Sequence, residues 1–158
     1  MPHQFIHLNL HSEFSITDGI IRLKPLIKAV ADAGMPAVAI TDQSNLCSLV
    51  KHYRGCLAAG IKPILGADLW LSNAEDAANP HRILILCKNN RGYLNLKTII
   101  SNSYLHGQHL GRAMVKKRWL LEHAEGLIVL LGKDSDVGEL LLNDKNDEAK
   151  GLLDEYIK

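Results

Sequence analysis

Ala37-Val38-Ala39-Ile40-Thr41-Asp42-Gln43-Ser44-Asn45 is the stretch on which the fold turns. Its first four residues are apolar, too few for a buried helix and without alternation, so they predict a strand covered on both faces, as in a parallel sheet. The run then empties into a polar turn. Helical spacing flanks it. Leu23, Leu26, Ile27, Val30 and Ala31 share one face of a helix that closes at Gly34, with Pro36 barring continuation, and residues 46–59 form a second helix that ends at Gly60.

Working outward, residues 5–10 predict an earlier strand that also ends in a polar turn, His11-Ser12-Glu13-Phe14-Ser15-Ile16-Thr17-Asp18-Gly19. Residues 61–71 predict a third strand, with Gly66 admitting a bulge or bend just before Asp68. A polar loop (73–80), a fourth strand (82–87) and a helix from about 93 to 104 follow. A loop rich in His and Gly (106–111) then leads to a helical segment at 119–123 and a fifth strand at 126–132. Residues 137–142 and 147–157 read as amphipathic helices.

About five strands alternating with helices predict a parallel α/β fold, either an open doubly wound sheet or a barrel, in a single domain over residues 1–158. In both architectures sites assemble beyond the carboxyl ends of strands. That rule selects His11 and Asp18 after the first strand, Asp42 after the second and Asp68 at the third. The chain reaches Lys158 inside a helical pattern, before a barrel of the usual strand number would close. This predicts a piece of a longer protein, with an unpaired edge that favours self-association.

Composition narrows the partners. Eighteen Lys and Arg against 17 Asp and Glu give a net charge of +1, so no whole-chain field draws the protein to nucleic acid or to an anionic membrane. Cys47, Cys56 and Cys87 are odd in number and lack CxxC spacing, against a disulfide framework or zinc knuckle. Each is expected to pack as a small hydrophobe. The amino terminus lacks the basic-then-apolar pattern of a signal peptide, and no apolar run approaches the ~20 residues that cross a bilayer. A cytoplasmic protein is the expectation.

Oxygen and nitrogen ligands on one rim suit Zn, Mn or Mg and would activate water against a phosphate ester. The histidines are too few for a tight catalytic centre, however, since only His11 clearly belongs to the rim. His7, four residues from His11, His106 and His109 are weaker candidates. Walker, GxSxG and GxGxxG motifs are all missing from the sequence. Lys116-Lys117-Arg118 reads as a solvated face rather than a phosphate contact.

Several blocks in order, HSEFSITDG (11–19), GMPAVAITDQSNLCSLVKHY (34–53), AGIKPILGADLWL (59–71), LILCKNNRGYLNLKTIIS (84–101) and HAEGLIVLLG (123–132), resemble the polymerase-and-histidinol-phosphatase (PHP) family. The blocks look like the PHP domains that open bacterial DNA polymerase III α subunits. The resemblance implies a distorted (β/α)7 TIM-like barrel, here truncated before closure. Its rim holds up to three metal ions and, when complete, hydrolyses phosphate esters. It also implies docking of the proofreading 3′–5′ exonuclease subunit, and attachment to the rest of the α subunit, through which the domain would meet DNA.

The family's His-x-His and following Asp fall on Asn9, His11 and Asp18; its Thr-Asp-His falls on Thr41, Asp42 and Gln43; its Gly-x-Glu becomes Gly66-Ala67-Asp68; and His81 matches a histidine at the next strand. Where metal-binding relatives carry a cysteine after the fifth strand, this chain has Gly132-Lys133. The resemblance thus implies a vestigial metal rim of His11, Asp18, Asp42, Asp68 and His81, weak for divalent metal and without catalysis. A free-standing metal-dependent phosphoesterase is the alternative, and a DNA-contacting module a third.

Overall fold

The computed structural model describes residues 5–157. Helix α1 (Leu23–Asp32), strand β1 (Ala37–Ile40), helix α2 (Leu49–Ala58) and strand β2 (Lys62–Leu71) form a β-α-β unit preceded by a helix. β1 is buried throughout and pairs in parallel with the first half of β2, from Ala37 with Lys62 to Ile40 with Leu65. The α1 stripe of Leu23, Ile27 and Val30 packs with Cys56 of α2 on Val38 and Ile40, as the helical spacing requires. Gly34 and Gly60 end the two helices with φ of 66° and 71°, a conformation glycine adopts without strain.

Beyond this unit lie β3 (His81–Cys87), α3 (Asn90–His106), the short strands β4 (Gln108–His109) and β5 (Arg112–Val115), α4 (Lys117–Glu122), β6 (Leu127–Leu131), α5 (Asp136–Leu142) and α6 (Asn146–Ile157). One six-stranded sheet results, ordered β4-β5-β2-β3-β6, with β1 alongside β2. The sheet is mixed α/β and stays open. The expected all-parallel order is corrected: β2 with β3 and β3 with β6 are antiparallel, the loop at 72–80 reversing the chain as a hairpin connection rather than a helical crossover.

Strand periodicity assigns the two faces. Leu69 and Leu71 of β2 and Ile83 and Ile85 of β3 point to Leu96, Ile99, Val115 and Trp119, all nearly fully buried. Their sequence neighbours Asp68 and Trp70, with Arg82, Leu84 and Leu86, therefore occupy the opposite face. That second face carries the rim.

Three further expectations are corrected. Residues 5–10 lie beside β1, with Ala39 N–H donating to the His7 carbonyl and Thr41 N–H to the Leu10 carbonyl, but they form no regular strand. The Leu10 N–H turns instead to the Thr41 hydroxyl at 2.8 Å, which breaks the ladder. Gly66 makes no bulge, because pairing runs unbroken from Gly66–Leu86 to Leu71–His81; a side chain there would meet the Ile85 carbonyl. Finally, the 106–111 loop is part of a β4–β5 hairpin, with His106 and His109 exposed.

Candidate functional site

Asp42 follows β1 directly and is 1% exposed. Its Oδ1 accepts from the Ser12 backbone N–H at 2.6 Å and from the Ser12 hydroxyl at 2.9 Å, while the Ser48 hydroxyl donates to Oδ2. Ser12 caps the short 3-10 helix Glu13–Ser15, and Ser48 is the residue at which α2 begins. One carboxylate thus ties the first turn to a helix start. Both of its oxygens are engaged by these donors.

Asp68 lies inside β2 rather than at its end, and is 4% exposed. Across the register, Arg82 of β3 reaches it with Nη2 at 2.5 Å from Oδ2, and the same Nη2 donates to Gln43 Oε1 at 3.2 Å. Gln43 also donates through Nε2 to the Asp68 carbonyl at 3.0 Å, reinforcing an isolated parallel bridge between the two residues. His11 Nε2 approaches Asp68 Oδ2 to 3.2 Å without the alignment of a regular hydrogen bond. On its other side Nδ1 meets Asp18 Oδ2 at 2.8 Å. The proximity of Asp68, against burial and with help from Asp18, lifts the His11 pKa above its ordinary value. Burial disfavours the Asp18 charge, but hydrogen bonds from Ser15 and His11 prevail and lower its pKa.

The rim is therefore Asp18–His11–Asp68–Arg82–Gln43, beside a cavity of about 270 Å³ lined by Asn9, Asp68, Arg82, Leu130 and Asp134. Three of the expected residues meet there. Asp42 is near in sequence order but engaged elsewhere. Asn9 accepts from the Thr41 hydroxyl at 3.2 Å. The expectation for His81 is corrected: it neighbours Arg82 on a strand, so it faces the other side, 3.3 Å from Glu139 of α5. His7 instead stacks edge-on with Phe5, ring centroids 4.7 Å apart.

Sequence reasoning missed Arg82, Ser12 and Ser48. Arg82 left a trace, a cation at the start of the otherwise apolar run 82–87; Ser12 and Ser48 left none, being ordinary turn and cap residues. Of the cysteines, Cys56 and Cys87 pack as expected, burial raising their pKa, that of Cys87 to about 11. Cys47, expected on a helix, is exposed and precedes α2.

Do these side chains suit a divalent ion? Among the described residues no three His, Cys, Asp or Glu side chains converge as a ligand set. The Asp68 oxygens already face a guanidinium, and the two neighbouring amides, Asn9 and Gln43, are weak ligands. The donor set does not fit a catalytic metal centre. Its positive charge comes from the chain itself, in Arg82, which lies 5.1 Å from the centre of the Trp70 ring.

Known proteins are similar to this chain. The chain is 48% identical to DNA polymerase III subunit alpha of Pseudomonas aeruginosa over all of its own length and 14% of that protein. It is 41% identical to the same subunit of Escherichia coli over 97% of this chain and 14% of that one. The chain thus spans about a seventh of the relatives it matches. Among solved structures, an amidohydrolase from Chromobacterium violaceum is 21% identical with a TM-score of 0.45, covering 61% of this chain and 34% of that one. No described helix is long and apolar enough to cross a membrane. The model of the PHP domain matches residues 7–158, and the chain belongs to the PHP domain family.

Proposed function

We propose that this chain is a structural and partner-docking PHP module of a replicative DNA polymerase α subunit, one that hydrolyses no phosphate ester. The single observation carrying this reading is the Arg82 guanidinium on Asp68 and Gln43. A cation fixed to the backbone neutralises the rim carboxylate, as a metal does in a hydrolase, but it brings no exchangeable water to activate. The rim then fastens the amino-terminal turn to β2 and β3. Nucleotidyl transfer belongs to parts of the longer protein outside this chain, in the cytoplasm, and the proofreading 3′–5′ exonuclease subunit is the partner.

Two measurements test this. Phosphatase assays on p-nitrophenyl phosphate with added Zn, Mn or Mg are expected to show no turnover; activity that vanishes in His11→Ala/Asp68→Ala would overturn the reading. Co-sedimentation with the exonuclease subunit is expected to give a complex, and separate boundaries would refute the docking role. One observation favours the metallophosphoesterase reading: the buried His11 Nε2 lacks a regular hydrogen-bond partner. Metal analysis of chelator-free protein decides between them, since stoichiometric metal would favour the enzyme.

A further inference from the structure

α1 and α2 cover β1 from one side, and between them opens a slot of about 340 Å³ lined by Glu13, Leu23, Lys24, Ile27, Lys51 and Gly55. All six belong to the first turn and these two helices. The floor is apolar. Leu23 and Ile27 are buried at its base, and Gly55 brings α2 so near that a side chain there would meet the tip of Ile27.

The walls are basic. Lys24 and Lys28 stand one turn apart on α1, and Lys51 and Arg54 do so on α2. The Phe14 ring holds the Lys51 ammonium 4.7 Å from its centre, at the mouth of the slot. Lys28 is engaged by Asp32 in an exposed pair, and Arg22 reaches Glu13 only at 4.0 Å. Lys24, Lys51 and Arg54 form no ion pair among the described residues. The sequence supplies the reason: no acidic residue occurs between Asp42 and Asp68, so α2 carries cations alone. Against a net charge of +1 for the whole chain, this is a local excess.

An apolar slot between unpaired cations complements a short acidic segment that bears one bulky apolar side chain. That side chain would fill the slot and exclude water from Leu23 and Ile27, while the flanking carboxylates meet Lys24, Lys51 and Arg54. A nucleic-acid backbone fits less well, since phosphates bring charge without an apolar group of that shape and would meet Glu13 at the edge. We propose, resting on the docking role above, that the α1–α2 slot receives an acidic peptide segment of a partner protein through one Leu or Phe anchor, with Lys24 and Lys51 as its charged clamps.

Fluorescence anisotropy with the purified chain tests it, the probe being a fluorescein-labelled peptide in which Asp and Glu residues flank a central Leu-Phe. Micromolar binding that weakens as salt is raised is expected. The same peptide with Ala-Ala at its centre should bind roughly tenfold more weakly. Lys24→Glu/Lys51→Glu should raise the Kd by roughly tenfold with unchanged circular dichroism. Lys97→Glu/Lys150→Glu, on α3 and α6, alters the net charge equally and should leave the Kd where it was. Equal losses in the two variants overturn the proposal, as does an Ala-Ala peptide that binds as well. A short oligothymidylate that binds more tightly than the peptide would make this a nucleic-acid surface and overturn it too. A chain that sediments with the exonuclease subunit but binds no peptide refutes the slot and leaves the docking role standing.

Discussion

At Arg82 the guanidinium ties β3 to β2, through Asp68 and the face of Trp70, and to the turn after β1, through Gln43. Arg82→Ala leaves Asp68 nearly buried with only His11 beside it. Because the Arg82 side chain is 34% exposed, the expected loss falls below that of a fully buried pair, at about 2 kcal/mol by urea unfolding. Arg82→Lys keeps the charge but not the fork, and should recover part of it. His11 carries a testable pH signature. Its raised pKa makes its contribution complete below the ordinary 6.5 and lost as pH rises through the folded value. Asp18 has the opposite sense, contributing above its ordinary 3.8 and losing this as pH falls through its lowered value. His52, fully buried on α2, has its pKa lowered by burial and so loses stability as pH falls below 6.5. The difference between wild type and His11→Gln isolates His11: thermal melts across a pH series should show the variant losing less stability than wild type above pH 6.5. Parallel curves would reject the assignment.

Among the elements, two joints set the frame. Asp42 fastens the 3-10 turn to α2, and Asp42→Ala would strand two buried hydroxyls and a backbone N–H; a cost of about 3 kcal/mol is expected by chemical denaturation. The other joint is where α3 begins. Asn89 caps the helix by accepting from the Gly92 N–H at 3.0 Å, and Gly92 lies against the Gly126 carbonyl, which leaves no space for a side chain. Gly92→Ala forces α3 and β6 apart and should lower stability by about 2 kcal/mol, measured as a shifted urea midpoint. Such joints were only half legible. Asn89-Asn90-Arg91-Gly92 announces a turn, but that its glycine meets Gly126 depends on where β6 docks. The helices and four of the six named strands, β1, β2, β3 and β6, were readable from periodicity. β4 and β5 were folded into a loop and a connection because strands of two and four residues carry too little pattern.

At the scale of the molecule, one face of the sheet packs against helices and supplies the principal core. Ile85, fully buried at its centre, is expected to cost about 4 kcal/mol on replacement by Ala, whereas Ile20, 92% exposed, should cost under about 0.5 kcal/mol. Equal losses in denaturant titrations would contradict this division. The other face is where the rim and the apolar groove lie together. The amino-acid sequence by itself determined the alternation of strands and helices, the carboxylate after β1 and the likeness to the PHP family, since these rest on local spacing and on motifs in order. Only the tertiary structure decided the antiparallel direction of β3, the pairing of Asp68 with Arg82 rather than His81, and the engagement of Asp42 by Ser12 and Ser48. The physical reason is that a period of two names two faces of a strand without saying which is inward. Register and direction come from packing between segments distant in the chain.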